Sequence, residues 1–356
     1  MTELLVGTKK GLFALQGDNR GAFEITSRAF AGEPVEFAMH DRSSGRYLAC
    51  VTSAFYGPKI FVTDDPAGEW QQAEGLSLPE EDEKALIRLW TVVPGIEDDH
   101  LYAGGDPGVL FESSDGGLTW ELNQPFWEQP TRPEWGPGAG GMCLHSIATW
   151  PGEPGKLAMG ISAVGVWLSD DGGRAWRHGN AGLVPRYLPE DAREDTFDLC
   201  VHNMHRAPSR PERLFMQFHG GVYRSDDAGE SWNDIGTDTG LPSDFGFPLV
   251  IDPDDADSAY VIPLVADLDR VTPGGRVRVY ETRDAGASWV ERGDGLPAED
   301  AYLTILRQAF AHEGSGDGMG LYFGATSGDV FGSRDAGATW FTAATKLPPV
   351  HSVRVA

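Results

Sequence analysis

Three histidines have the residue type and the spacing to form a polyimidazole site. His145 and His202 each follow a cysteine by two positions, in the similar segments GMCLHSIA and DLCVHNMH, and His219 lies in the segment FHGG. Three imidazoles can hold Zn²⁺ or a similar divalent metal and leave a position for water. We therefore predict these three residues as metal ligands, with His145 and His202 also acting as catalytic acids or bases. The alternative is a set of hydrogen-bonded polar residues in a wet channel, with no metal and no catalysis.

Three carboxylates stand in glycine- and proline-rich segments that are typical of loops. Asp106 in GGDPG and Glu134 in RPEW are candidate catalytic residues, and Asp244 in PSDFG is a candidate ligand contact. Glycoside hydrolysis needs two carboxyl groups several ångströms apart, one of them protonated near neutral pH, and burial beside Trp135 or Trp127 could raise one pKa. The alternative is that each carboxylate only stabilises a turn or caps a helix.

Cationic and aromatic residues near these groups are further candidates for ligand binding, because guanidinium groups bind anions and aromatic rings stack on sugars. Arg88 in LIRLW and Arg307 in TILRQ lie in strand-like apolar segments, and Arg132 belongs to the same segment as Glu134. The predicted ligand contacts are Arg88, Arg132, Trp135, His219, Asp244 and Arg307.

The elements that must position these residues are indicated by a repeated phrase, Ser/Thr-x-Asp-x-Gly-x-x-Trp. Each copy follows an apolar stretch and precedes another short strand, which predicts a hairpin turn. The carboxylate can accept backbone N–H groups inside the turn, the glycine permits a positive φ, and the tryptophan covers the neighbouring hairpin. We assign these aspartates a structural role: Asp115, Asp171, Asp227, Asp284 and Asp335.

The phrase resembles the Asp box of the BNR-repeat β-propellers, a group that includes sialidases, some glucan hydrolases, the sortilin ectodomain and a photosystem assembly factor. Runs such as LPSDFGFP and FHGGVYRSDD make the chain most similar to bacterial sialidase-like BNR-repeat proteins. The resemblance implies that the Asp boxes lie on the face opposite a functional site. It says little about activity, because one fold hosts many functions.

A repeat of just over 50 residues that contains only short strands predicts a propeller. The predicted blades span about 34–72, 86–122, 141–178, 198–235, 245–292 and 301–343, and the segments 349–356 and 1–27 complete each other as a further blade. The first of these ranges carries a degenerate box, TDDPAGEW. The prediction is therefore one all-β domain over residues 1–356, a seven-bladed β-propeller with Asp-box turns that both termini close.

Two long connections, 122–140 and 179–198, flank the blade predicted to begin at Gly141 and mark the expected functional face. One hypothesis places there a hydrolase or lyase, with or without a metal, that acts on a small polar ligand or a glycan. The other is a non-catalytic platform that grips a partner protein or peptide through the aromatic residues Phe126, Trp127, Trp135 and Tyr187.

Strict sialidase activity is not expected. The resemblance would require three arginines around the substrate carboxylate, a Tyr–Glu nucleophilic pair and an acidic aspartate. The Phe-Arg-Ile-Pro phrase that usually carries the first arginine is absent, and only Arg88, Arg307 and Arg354 lie in predicted inner strands.

The composition indicates which binding partners and which cellular compartment to expect. The 54 acidic residues outnumber the 28 basic ones, and the resulting net charge of −26 repels a nucleic-acid backbone or an anionic membrane. The amino-terminal segment lacks the features of a signal peptide, and no stretch is apolar enough for a membrane span. The three cysteines suit buried thiols in a reducing compartment, so we expect a cytoplasmic protein.

Overall fold

The structure is a computed structural model, and it describes residues 1–18, 21, 23–80, 85–194 and 196–356. Positions 19, 20 and 22 of the predicted terminal segment 1–27 and position 195 of the second long connection lie outside the described residues.

The described residues form seven four-stranded antiparallel sheets. Blade 1 contains β1 (Thr2–Thr8), β2 (Gly11–Gly17) and β3 (Phe23–Ala29), which a strand from the carboxyl-terminal segment completes. Blade 2 contains β4 (Val35–Asp41), β5 (Arg46–Ser53), β6 (Gly57–Thr63) and β7 (Gln71–Gln72). Blade 3 contains β8 (Arg88–Pro94), β9 (Leu101–Asp106), β10 (Val109–Ser113) and β11 (Glu121–Leu122). Blade 4 contains β12 (Leu144–Trp150), β13 (Glu153–Ile161), β14 (Gly165–Ser169) and β15 (Arg177–His178).

The second half of the chain repeats this pattern. Blade 5 contains β16 (Val201–Arg206), β17 (Leu214–Phe218), β18 (Gly221–Ser225) and β19 (Asn233–Asp234). Blade 6 contains β20 (Gly246–Ile251), β21 (Ala259–Pro263), β22 (Val279–Thr282) and β23 (Val290–Arg292). Blade 7 contains β24 (Phe310–Glu313), β25 (Gly320–Gly324), β26 (Val330–Ser333) and β27 (Phe341–Ala344), and the last strand is β28 (Val350–Val355). The helical elements described are α1 (Gln124–Trp127) and 3₁₀ turns at Arg132–Glu134, Glu190–Ala192, Pro273–Gly275 and Gly316–Gly318.

The two ends of the chain share one sheet. β28 pairs antiparallel with β1, with Val353 opposite Val6 and Val355 opposite Leu4. This pairing covers the edge of β1 and joins the two ends of the chain in one blade. The predicted seven-bladed propeller closed by both termini is thereby confirmed.

The repeated Asp phrase forms the turn between the third and fourth strand of its blade. In blade 3, the Ser113 hydroxyl donates to Asp115 Oδ1 and accepts the N–H of Gly117, while Asp115 Oδ1 accepts the N–H of Thr119 at 2.9 Å. The same three hydrogen bonds recur in the other four copies, at Asp171, Asp227, Asp284 and Asp335. The tryptophan of each copy is buried. These turns are internally satisfied, which suits a structural role.

The innermost strand of most blades contains a β-bulge near its start. The pairing register with the next strand skips one residue, which is Glu36 in β4, Trp90 in β8, His145 in β12, His202 in β16 and His351 in β28. In β20 the register skips Phe247 and Pro248. A bulged residue leaves the ladder and re-aims its side chain. The bulges therefore turn a ring of side chains away from their own sheets and towards the neighbouring inner strands.

Polar side chains bridge the ring across its axis. Gln308, just before β24 of blade 7, donates from Nε2 to the carbonyl of His145 in blade 4 at 2.9 Å. Asn203 of blade 5 donates to the carbonyl of Arg307 at 3.0 Å, and Arg354 of blade 1 donates to the carbonyl of Gln308 at 2.7 Å. Because these blades are not all neighbours, the bonds cross the central channel.

Within the described residues, the helices are all too short or too polar to cross a membrane.

Candidate functional site

Blades 4 and 5 place three side chains each at equivalent positions on the upper face, where the second and third strands of a blade join. The carbonyl of Cys143 accepts the N–H of Ser162, and the carbonyl of Cys200 accepts the N–H of His219, both at 3.0 Å. The histidine bulge follows two residues after each cysteine. Blade 4 thus assembles Cys143, His145 and Ser162, and blade 5 assembles Cys200, His202 and His219.

The blade 5 set has the geometry of a metal site. The ligand atoms of Cys200, His202 and His219 lie within 4.8 Å of one another, and no other group of histidine, cysteine and acidic ligands met this geometry in the part of the chain that the structure describes. The rings of His202 and His219 are 5.1 Å apart between centroids. One thiol and two imidazoles form a ligand set that suits Zn²⁺ and leaves a coordination position open.

The tautomer of His202 is fixed by its neighbour in blade 6. Nδ1 lies 2.7 Å from the carbonyl of Gly246, and a carbonyl can only accept, so Nδ1 carries the proton. Nε2 then carries the lone pair that a metal requires. Backbone carbonyls commonly orient metal-binding imidazoles in this way.

Tyr187, from the long connection between blades 4 and 5, contacts both Cys200 and His219. Its hydroxyl accepts the N–H of Cys200 at 2.9 Å and donates to the carbonyl of Asp198 at 2.7 Å. Its ring packs edge-on against the ring of His219, 4.4 Å between centroids. On another side, Asp267 Oδ2 lies 3.7 Å from His219 Nε2. Tyr187 therefore fixes the position of the site rather than presenting an open aromatic surface.

Burial determines the protonation states of the three side chains. It lowers the pKa of both His202 and His219, and for His219 this outweighs the opposing charge of Asp267. Burial also raises the pKa of the Cys200 thiol. At neutral pH the imidazoles are neutral, which is the form that binds metal, whereas the thiol must lose a proton on binding.

The site borders a cavity of about 700 Å³ on the upper face. Cys200, His219 and Asp267 lie on one side of it, and Glu134 and Gly138 of the first long connection lie on another. A cavity of this size accommodates a small organic ligand. The two long connections therefore build the walls of the cavity, and the blade 5 hairpin contributes part of its lining.

His145 does not join the other two histidines. Its Nε2 lies 2.9 Å from the carbonyl of Val201 and must donate to it, and its Nδ1 lies 2.9 Å from the Ser146 hydroxyl. Both ring nitrogens are thus engaged within the protein, and the side chain is 1% exposed. The structure differs here from the predicted three-histidine cluster, because the same bulge aims His145 at the backbone of blade 5. Cys200 takes the third place instead.

Asp106 lies in the upper hairpin of blade 3 and is buried. Its Oδ1 accepts the N–H of Met142 at 3.3 Å, and its Oδ2 is 3.8 Å from the Cys143 sulfur. Burial raises the pKa of this carboxyl although the Met142 N–H and the charge of Arg88 oppose the shift. A carboxyl group in this environment can hold a proton at a higher pH than an exposed one.

Arg88 and Arg307 both lie over the ring of Trp90, at 4.8 and 5.2 Å. Arg88 has a carboxylate neighbour, since its Nε is 3.4 Å from Glu36. Arg307 donates to the Ser162 hydroxyl at 2.9 Å and has no carboxylate at ion-pair distance among the residues with described positions. Its charge acts on the thiols of both Cys143 and Cys200, so it lies near both blades.

The first long connection packs its aromatic residues inward. Phe126 is 0%, Trp127 5% and Trp135 7% exposed. Arg132 donates to the carbonyls of Pro107 and Gly108, and its guanidinium lies 3.8 Å above the Trp127 ring. The expectation that these aromatic residues present a binding surface is wrong, because their burial anchors the connection to blades 3 and 4.

The two remaining predicted carboxylates lie apart from the cluster. Glu134 is exposed at the rim of the upper cavity. Asp244 lies 3.9 Å from Arg186 of the second long connection, which also forms an ion pair with Asp234. Asp244 therefore interacts with the second long connection and not with the group formed by Cys200, His202 and His219.

Sequence reasoning missed Cys200 as a candidate ligand and Asp267 as a neighbour of His219. The signal for Cys200 was present in the spacing Cys-x-His, which places both side chains beside one bulge. Asp267 carries no such signal, because it stands in the connection between β21 and β22 and its position depends on how that connection folds.

Neither the protein-family models nor the curated proteins gave a match to this chain. Among solved structures, a GH74 xyloglucanase from Xanthomonas campestris aligns with 99% of this chain and 52% of its own, with a TM-score of 0.61 and 15% identity. An ancestral GH74 enzyme aligns with 90% of this chain and 38% of its own, with a TM-score of 0.56 and 16% identity. The chain thus spans about half or less of these two enzymes.

A third similar structure is YCF48 bound to D1 peptide, which aligns with 86% of this chain and 80% of its own, with a TM-score of 0.53 and 15% identity. All three identities are low, so these likenesses establish the fold and leave the chemistry open. By fold, the chain is a seven-bladed β-propeller that is similar to glycan-acting and peptide-bound propellers.

Proposed function

We propose that this protein is a metal-assisted hydrolase or lyase that acts on a small polar, glycan-like ligand in the upper cavity. The observation that carries the proposal is the group formed by Cys200, His202 and His219, whose ligand atoms lie within 4.8 Å of one another beside a cavity of about 700 Å³. A divalent metal such as Zn²⁺ at this group would supply a Lewis acid for a polar group of the ligand.

The protein's own residues then have distinct tasks. Asp106, with its raised pKa, is the candidate proton donor. Arg307, which lacks a carboxylate partner among the described residues, stabilises negative charge on the ligand, and Glu134 at the rim contacts its polar groups. His145 keeps the backbone of blade 5 in place, so its contribution is to position the site. The GH74 neighbours agree with a glycan-like ligand only at the level of the shared fold.

Metal analysis of the purified chain tests whether Cys200, His202 and His219 bind a metal ion. We expect one divalent ion per chain in the wild type, and at least about tenfold weaker metal binding in Cys200→Ser and His202→Ala. Cys143→Ser is the matched control, because it alters the equivalent thiol of blade 4 and should retain the metal. A metal-free wild type, or equal metal loss in the control, contradicts the proposed site.

Turnover of a panel of glycoside and polysaccharide substrates tests the catalytic part. Asp106→Asn should lower turnover by about a hundredfold or more while keeping the metal, because loss of a general acid typically costs that much. If the wild type binds metal but cleaves none of the substrates, catalysis on glycans is contradicted. The proposed metal site is not affected by that result.

The second candidate function is binding of a partner protein or peptide on the same face. Phe55 and Tyr56 are 87% and 80% exposed at the tip of the blade 2 upper hairpin, and Leu268 is 96% exposed in the β21–β22 connection. Exposed apolar side chains mark interaction surfaces when they cluster. A partner that binds the wild type, is lost in a Phe55→Ser, Tyr56→Ser double variant, and is retained in His219→Ala would favour this function.

A further inference from the structure

A second cavity, named here the lower compartment, lies at the ends of the inner strands, on the face that carries the Asp turns. It encloses about 340 Å³, and its charged and titratable lining comes from the ends of three inner strands, with His205 and Arg206 from β16, His312 from β24 and Arg354 from β28. Its lining shares no residue with that of the upper cavity.

The lining is cationic, in contrast to the net charge of −26 for the whole chain. Arg206 stacks over Trp150 at 5.7 Å, and Arg354 over Phe37 at 4.6 Å. Neither guanidinium has a carboxylate at ion-pair distance within the described ranges, and the charge of Glu212 acts on Arg206 only from farther away. Arg206 donates one hydrogen bond, to its neighbour's carbonyl at 3.3 Å, which leaves most of its five N–H groups available.

The two histidines complete a set of donors. His205 makes no hydrogen bond within the described part of the chain, and burial with the nearby charge of Arg354 lowers its pKa to about 3. His312 has Nδ1 3.3 Å from the carbonyl of Gly314, and burial lowers its pKa as well. Both rings are neutral at physiological pH, so the positive charge of the cavity resides on the two arginines.

A partly buried cation without a counter-ion is unfavourable. Desolvation lowers the pKa of Arg354 to about 10, and its acceptors, the backbone carbonyls of Gln308 and Val353 and the side-chain oxygen of Gln308, carry no net charge to balance the guanidinium. Leu249, Val250 and Phe310 line part of the cavity and lower the local polarity, which strengthens any ionic contact there. An anion bound in the cavity would balance the charge of the two arginines.

We propose that the lower compartment binds a small oxyanion, a phosphate or carboxylate group, between Arg206 and Arg354 with His205 as an additional N–H donor. Paired guanidinium groups match the spacing of oxygen atoms in both kinds of anion. The site shares no residue with the group formed by Cys200, His202 and His219 or with the lining of the upper cavity.

Titration calorimetry with inorganic phosphate and with malonate, at constant ionic strength, tests this site on the full chain. We expect saturable one-to-one binding of at least one of the two anions, and whichever binds identifies the anion class. Arg206→Gln should weaken binding at least about tenfold, as expected for a charged hydrogen-bonding partner. Arg206→Lys should retain part of the affinity, because it keeps the charge and loses the planar donor geometry.

Arg210→Gln is the matched control, since Arg210 is exposed on the same face, in the β16–β17 connection. It should bind the anion as the wild type does, and so should Cys200→Ser, which separates this site from the metal site. His205→Gln provides a second variant if Arg206→Gln does not fold, and it should also weaken binding. No saturable binding of either anion to the wild type, or equal weakening in Arg206→Gln and Arg210→Gln, would overturn the proposal.

Discussion

Blades 4 and 5 have the same Cys-x-His pattern at the start of their inner strands, and the structure uses the two copies differently. In blade 5, His202 is tethered through Nδ1 and keeps Nε2 for a ligand, while Cys200 and His219 lie beside it. In blade 4, His145 has both nitrogens engaged, and the residue equivalent to His219 is Ser162.

Blade 6 extends the comparison. Its equivalent hairpin position is Leu264, whose N–H donates to the carbonyl of Phe245 at 2.8 Å. Phe245 and Phe247 form an apolar wall against the ring of His202, at 5.1 and 4.4 Å between centroids. Three blades with one backbone arrangement thus present a candidate metal-ligand group, a hydrogen-bonded polar group and a pair of apolar rings. The backbone register fixes where the side chains lie, and the residue in the neighbouring hairpin decides what they can do.

The largest expected effect distinguishes His219 from its blade 4 counterpart. His219→Ala removes one of three ligands and should weaken zinc binding by about a hundredfold, whereas Ser162→Ala should leave zinc affinity unchanged. Competition with a chromogenic chelator measures both. If Ser162→Ala weakens zinc binding as much as His219→Ala does, then blade 4 shares the site and the contrast between the blades is wrong.

A smaller effect concerns stability. His145→Ala removes one of two side-chain hydrogen bonds to the Val201 carbonyl, which Ser162 also contacts, and leaves a cavity where the buried ring was. It should lower the free energy of unfolding by about 1–3 kcal/mol while zinc content stays constant. Urea unfolding of the wild type and the variant measures the difference. A variant that loses zinc and keeps its stability would assign His145 to the metal site.

The same histidine contributes to the pH dependence of unfolding. Burial, reinforced by Arg307, holds the pKa of His145 well below its usual 6.5, so the unfolded chain binds a proton that the native state excludes. Its contribution is therefore complete above pH 6.5 and is lost as the pH falls below that value. His145→Ala should flatten the acid side of the stability curve by up to about 1.4 kcal/mol per pH unit. Equal slopes in the two proteins would contradict this protonation state.

For the last variant we expect no change in the number of bound zinc ions. Ser162→His gives blade 4 the same three residue types as blade 5, yet zinc stoichiometry should remain one per chain, because His145 has no nitrogen free to bind. Mass spectrometry under native conditions counts the bound ions. A second zinc ion in this variant would mean that the hairpin residue alone determines the site, and that the tethering of His145 is secondary.

Much of the fold was predictable from the sequence because its signals are local. The Asp turn needs a hydroxyl, a carboxylate and a glycine within five residues, and all three lie within one copy of the phrase. The seventh blade was predictable because each terminal segment carries only part of the strand pattern of a blade. The equivalence of His145 and His202 was likewise visible, since both follow a cysteine by two residues.

The sequence by itself determined the number of blades, the closure by the termini and the positions that face the channel, because turn chemistry and strand periodicity act over a few residues. Tertiary structure decided which of those positions can bind a ligand. Whether His145 or Cys200 joins His202 and His219 depends on hydrogen bonds to carbonyls in the adjacent blade, and whether Trp127 and Trp135 face solvent depends on how a long connection packs. Such contacts join residues far apart in the chain, and their geometry follows only from the closed ring.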